Sequence, residues 1–142
     1  MLRGRRIAFD YGDVRIGVAI SDPDSILASP LTTLSSGDPK LFAQIAGLLA
    51  EHEPIAIYVG EPINLSVQSS TSAQKAAAFA QKLHNEFSVP VTMIDERLST
   101  VSATNAMRQS GINAKNARNK IDMAAAVAIL EQGIAIEKAK DV

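Results

Sequence analysis

The chain has 142 residues, 46% of them hydrophobic and 20% charged, with a formal net charge of −1 and no cysteine. That is the make-up of one globular domain, expected to span 1–142 with a core of its own. It excludes disulfides, thiol catalysis and cysteine-ligated zinc, and no apolar run reaches the ~18 residues that cross a bilayer.

Met1-Leu2-Arg3-Gly4-Arg5-Arg6 is charged but leads into too few apolar residues for a secretory signal, so the expected place of work is the cytoplasm. A strand near 5–11 follows, in which Ile7 and Phe9 take one face while Ala8 and Asp10 take the other. Gly12-Asp13 turns the chain into a second strand near 15–21. An acid at Asp10 is low in water, where an unpaired charge costs several kcal/mol. Taken alone, it reads as an Asp that bonds its own turn; the sharper alternative is a bound cation. Tyr11 reads as packing, with stacking on a base as the alternative.

After Asp22-Pro23-Asp24 comes a weaker strand near 27–34, and Pro30 inside it predicts an edge or a bulge. Asp38 as N-cap and Pro39 at the first helical position open a helix with apolar positions Leu41, Phe42, Ile45, Leu48 and Leu49, stopped by Pro54. The continuous apolar run Ile55 to Gly60 suits a central parallel strand. A polar segment from Glu61 to Ser72 precedes a helix over about 72–87, with Ala76, Phe79, Ala80 and Leu83 on one side. A strand from Val89 to Ile94 ends in Asp95-Glu96-Arg97. Ser99 or Thr100 caps a helix to about Ser110, 112–120 reads as loop, and the Ala-rich run Met123 to Ile136 is the last helix.

Three antiparallel strands followed by alternating helices and strands predict an α/β fold: a mixed five-stranded sheet, its later strands parallel, flanked by helices. In such sheets ligands gather at the carboxyl ends of strands, and Asp10, Glu61 and Glu96 all stand at such ends. Asp122 opens the last helix, where the helix dipole alone favours an acid; Glu96 beside Arg97 alone reads as a surface pair. Jointly, acids on a first strand, at neighbouring strand ends and on a final helix can converge on one point. Clustered carboxylates repel unless cations intervene, and hard oxygen donors suit Mg²⁺ or Mn²⁺. Two such ions ~3.5–4 Å apart are the expected cofactors, activating water and stabilising the leaving oxygen of a phosphodiester.

Charge distribution agrees. Between Glu96 and Asp122 there is no acid, while Arg97, Arg108, Lys115, Arg118 and Lys120 all fall there. That window suits a phosphate backbone, with a solvated helix face plus a loop as the plain alternative; Arg15 and Arg97 either contact phosphate or neutralise the acids. The residues thus point to metal-dependent nuclease chemistry. Aromatics total 4%, too few for a sequence-reading single-strand platform, and His52 and His84 have no role.

Asp10-Tyr11-Gly12 with Arg15-Ile16-Gly17-Val18-Ala19, Val59-Gly60-Glu61-Pro62, Asp95-Glu96-Arg97-Leu98-Ser99-Thr100 and Lys120-Ile121-Asp122 with Ala124-Ala125-Ala126 resemble the YqgF (RuvX) family, in family order and over nearly the whole chain. The resemblance implies an RNase H-like fold related to RuvC-type Holliday junction resolvases. It implies processing of the 5′ end of the 16S ribosomal RNA precursor, or junction resolution, with Asp10, Glu96 and Asp122 holding metal. Structured RNA, within ribosome precursors or free, or branched DNA is then the partner, with no membrane. A resolvase would need a dimer, so a monomer or weak homodimer is expected. The family carries an apolar residue where Glu61 stands; Glu61 reads as a solvated loop residue, with a fourth metal-facing acid as the alternative. Ser66-Val67-Gln68-Ser69-Ser70 lacks the glycine usual there. A nucleic-acid-binding module without turnover is the competing class. Phosphotransfer, suggested by the Asp-x-Gly strand pair, would need a second lobe.

Overall fold

The computed structural model describes residues 1–62, 70–96 and 115–140, the side chains at 70 and 115–118 excepted. Among them β1 (Arg6–Tyr11), β2 (Arg15–Ser21) and β3 (Ala28–Ser35) precede α1 (Leu41–His52), β4 (Ala56–Glu61), α2 (Ser70–Glu86), β5 (Val91–Asp95) and α3 (Lys115–Lys140). The helix expected from Ser99 to Ser110 lies outside the described residues. The strands form one sheet of order β3-β2-β1-β4-β5; β1, β2 and β3 pair antiparallel, and β1, β4 and β5 pair parallel. This is the mixed five-stranded sheet that the strand pattern predicts.

Pro30 has both expected consequences. β3 is an edge strand, and the ladder shifts so that Val18 faces Thr32 while Ala19 faces Pro30. Leu31 is the extra residue of that bulge, which accommodates a proline lacking an N–H to donate.

Strand parity divides the core in two. Ile7 and Phe9 of β1 join Ile16, Val18, Ile57 and Val59 beneath Ile45 of α1 and Phe79 and Leu83 of α2. Ala8 joins Ala19, Tyr58 and Ile94 beneath Ala125, Ile129 and Leu130 of α3. Helices therefore cover both faces of β1, which is why its run is apolar without alternation. Each fully buried Ile, Leu or Phe contributes about 1.5–3 kcal/mol.

Two helix starts differ from expectation. Asp38 is not the N-cap of α1: Lys40 stands there without a side-chain bond. The Asp38 carboxylate accepts from the Lys40 backbone N–H at 2.8 Å and from the Gln44 amide at 3.3 Å, a local Asx turn that delays the helix to Leu41. The last helix begins at Lys115 rather than Met123, because Lys, Arg and Ala are strong helix formers and can extend a helix without an apolar stripe. Asp122 therefore lies two turns inside α3, and the helix-dipole explanation for an acid in a first turn does not apply.

The far end of α3 is tied to the foot of β1. Arg6 is 1% exposed; its Nη2 donates to Glu137 Oε2 at 2.8 Å and to the Leu2 carbonyl at 2.8 Å, and its Nη1 to the Gly4 carbonyl at 2.7 Å and Ser25 Oγ at 2.9 Å. The Tyr58 hydroxyl donates to Glu137 as well. Burial, then the Glu137 hydrogen bond and charge, push the Tyr58 phenol well above its usual range.

Candidate active site

Three carboxylates, Asp10, Glu96 and Asp122, are buried around the end of β1. Asp10 has the parity of Ala8, so it points to the face of the sheet that α3 covers, and it is 6% exposed. Its cross-strand partner is Gly17. A Cβ on Gly17 would lie 2.0 Å from the Asp122 backbone oxygen, so α3 rests where only glycine leaves room. This sets Asp122, 4% exposed, beside Asp10.

The other flank is built the same way. Phe9 of β1 lies opposite Val59 of β4, and one residue further that register brings Gly60 beside Asp10. A Cβ on Gly60 would lie 2.9 Å from Glu96 Oε1 and 2.5 Å from Ile129 Cδ1. The Glu96 carboxylate, 8% exposed just past β5, thus lies over Gly60. Gly17 and Gly60 flank Asp10, the first beneath the Asp122 backbone and the second beneath the Glu96 carboxylate. These glycines were not singled out from the sequence. Their signal is a glycine interrupting an apolar strand at the level of a strand acid, which marks close approach.

Arg15 shares this face, and its Nε donates to Asp122 Oδ2 at 2.8 Å. Its side chain is 27% exposed, and its Nη groups make no hydrogen bond among the described residues. One end of the guanidinium holds an acid while the other faces outward. Lys120 is exposed on α3, two residues before Asp122. Lys115 and Arg118 fall on the first turns of α3, with their side chains outside the described residues, as Arg97 and Arg108 are entirely. Glu61 ends β4 with the parity of Val59, so it belongs to the α1–α2 face, across the sheet from Asp10. Strand geometry thus separates it from the three acids.

The donor set suits a hard divalent cation: carboxylate oxygens, with no sulfur and no imidazole at hand. Asn119 Oδ1, one helical turn before Asp122, is buried and accepts no hydrogen bond among the described residues. The acids are not drawn into a closed cage: among the described residues no three His, Asp or Glu side chains stand close enough to chelate. No described helix is long and apolar enough to cross a membrane.

Comparison with known proteins gives the family and the fold. The sequence profile of the RuvX family, described as Holliday junction resolvase, matches residues 4–135. A Streptomyces coelicolor protein named as a candidate pre-16S rRNA nuclease is 45% identical over 140 residues, covering 97% of this chain and 84% of its own. A Mycobacterium ulcerans protein of the same name is 47% identical over 131 residues, covering 91% and 77%. Among solved structures, RuvC of T. thermophilus in complex with a Holliday junction substrate superposes with a TM-score of 0.63 at 17% identity, over 95% of this chain and 96% of that one. The likeness to RuvC is one of fold, the RNase H-like architecture.

Proposed function

The chain belongs to the RuvX family, and from that membership we propose that it is a divalent-metal-dependent endonuclease whose substrate is the 5′ region of the 16S ribosomal RNA precursor. Its relatives' shared name supports the substrate, and a cytoplasmic site of action follows from it. What supports the chemistry is the burial of three carboxylates, Asp10, Glu96 and Asp122, about Gly17 and Gly60.

In this reading Asp10, Glu96 and Asp122 hold Mg²⁺ or Mn²⁺, one ion or two, within a single nuclease domain. A bound divalent cation supplies Lewis-acid stabilisation of the charge that builds on a phosphodiester as it is cleaved. Asp10 is the fixed member, because β1 is packed on both faces and cannot shift its Cα. Asp122 and Glu96 close on it from α3 and from the end of β5. Arg15 orients the Asp122 carboxylate with Nε and offers its outward N–H groups to a phosphate. Lys120, with Arg97, Arg108, Lys115 and Arg118, supplies positive charge along the strand's path with little reading of base identity.

Incubating the protein with a transcript carrying the 5′ leader of 16S RNA and, separately, with a four-way DNA junction tests this directly. Cleavage of the transcript in Mg²⁺ or Mn²⁺, with the junction intact, is the expected result. Junction cleavage alone would favour resolution, the activity in the family's description. Binding of either substrate that survives EDTA, with no product in either metal, would favour a binding module.

A further inference from the structure

A second site lies across the sheet from the acids. Tyr11 follows Asp10 directly on β1 and so points to the opposite face, where its ring lies 5.0 Å from that of Phe79. Beside it opens a cavity of about 430 Å³, also bordered by Phe42, Lys75 and Lys82. That is ample for one nucleotide, as cavities of a few hundred Å³ take small ligands. Lys82 lies over the Phe42 ring, with Nζ 4.2 Å from its centroid, so its charge is held at the aromatic wall. Lys75 pairs with Asp13 at 3.0 Å, but both side chains are largely exposed, and such a pair yields easily to a phosphate. The acid at the rim, Asp38, already accepts from the Lys40 backbone and the Gln44 amide.

We infer that this groove takes one nucleotide of the strand being cut, its base against Tyr11 and its phosphate on Lys75 and Lys82. The combination of aromatic wall and paired ammonium groups is the chemistry of single-strand binding, where bases stack without sequence selection. Position favours a nucleotide of the substrate strand over a free one. Asp10 and Tyr11 are consecutive at the C-terminal end of β1, so the groove and the acids open at the same end of the sheet, on its two faces, and the two lysines give the groove the charge that a phosphate-bearing strand needs. This site rests on the nuclease reading for its occupant.

The test is binding of labelled single-stranded oligo(A) RNA to the full chain in EDTA, so that nothing is cut, with aromatic NMR signals followed in parallel. We expect the ring signals of Tyr11, Phe42 and Phe79 to shift. The doubly substituted Lys75→Gln/Lys82→Gln variant should bind roughly tenfold more weakly, with its salt slope shallower by about 0.7, the value for one phosphate contact on a single strand. Thermal melting should be unchanged, because both lysines are exposed. RNA that binds without moving those rings, and equally well to the variant, would overturn the groove while leaving cleavage at Asp10 standing. AMP binding as tightly as oligo(A) would overturn assignment to the strand. A wild type that neither bound nor cleaved any nucleic acid would remove the nuclease reading and the groove together.

Discussion

The backbone oxygen of Asp122 occupies the space that a side chain at Gly17 would need: a Cβ there would lie 2.0 Å away. An acid on a helix is thereby set against the strand next to that of Asp10, and the glycine is as much a part of the site as the carboxylates. Gly17→Ala should lower stability by about 1–3 kcal/mol through overpacking and should abolish cleavage. Gly47→Ala is the control: its Cβ would meet nothing within 4 Å, and it lies inside α1. That substitution should raise stability by about 0.5–1 kcal/mol. Urea unfolding of both variants checks the contrast.

Arg15 stands in for part of the positive charge that a cation would bring to Asp122, at 2.8 Å. Arg15→Gln should cost about 1–2 kcal/mol in EDTA, between the values for exposed and buried pairs. Mg²⁺ or Mn²⁺ should then raise the melting temperature of the variant by more than that of the wild type, since the ion takes over the missing charge. Equal shifts in the two proteins would separate Arg15 from the metal. Calorimetric melting with and without each ion makes the comparison.

Much of this was legible in the sequence. Alternation in Ile7-Ala8-Phe9-Asp10 assigned faces correctly, Pro30 marked an edge or a bulge and both are present, and Asp10 stood out because charge is costly in an apolar strand. What was hidden has physical causes. Lys115 to Lys120 carries no apolar stripe and reads as loop, yet its residues favour helix and α3 begins there. Asp38 resembles a cap, but its carboxylate satisfies a donor one residue too early. Gly17 and Gly60 act by leaving space for groups distant in sequence, which no local pattern records. The side of the sheet to which Glu61 belongs follows from counting parity along β4 once its neighbours' faces are known.

At the opposite end of the sheet, Arg6 and Glu137 join β1 to α3, with Arg6 1% exposed. Glu137→Gln should cost on the order of 3 kcal/mol, because it takes the charged partner from a buried guanidinium. Tyr58→Phe should cost about 1 kcal/mol, the loss of one hydrogen bond. Chemical denaturation of the two variants tests that order, and a costlier Tyr58→Phe would contradict it.

Acid should loosen the β2–β3 connection first. The Asp22 carboxylate accepts backbone N–H groups from Leu27 at 2.8 Å, Ile26 at 2.7 Å and Asp24 at 3.1 Å, and these bonds, that from Leu27 foremost, hold its pKa below the usual 3.8. A carboxyl with a depressed folded pKa contributes stability above its unfolded value and loses it as pH falls through the folded one. Protection of the Ile26 and Leu27 amides, taken relative to their intrinsic exchange rates, should therefore fall below about pH 4 in the wild type. In Asp22→Ala it should already be low at neutral pH.

Single-turnover cleavage of the 16S precursor leader by purified Asp10→Asn, beside wild type in saturating Mn²⁺, bears on the central claim most directly. Asn keeps the shape of Asp10 but removes the charge that a cation needs. The account predicts a folded variant that binds the transcript as the wild type does and cleaves it at least a thousandfold more slowly, about 4 kcal/mol in the barrier. Cleavage at the wild-type rate by that variant would contradict it.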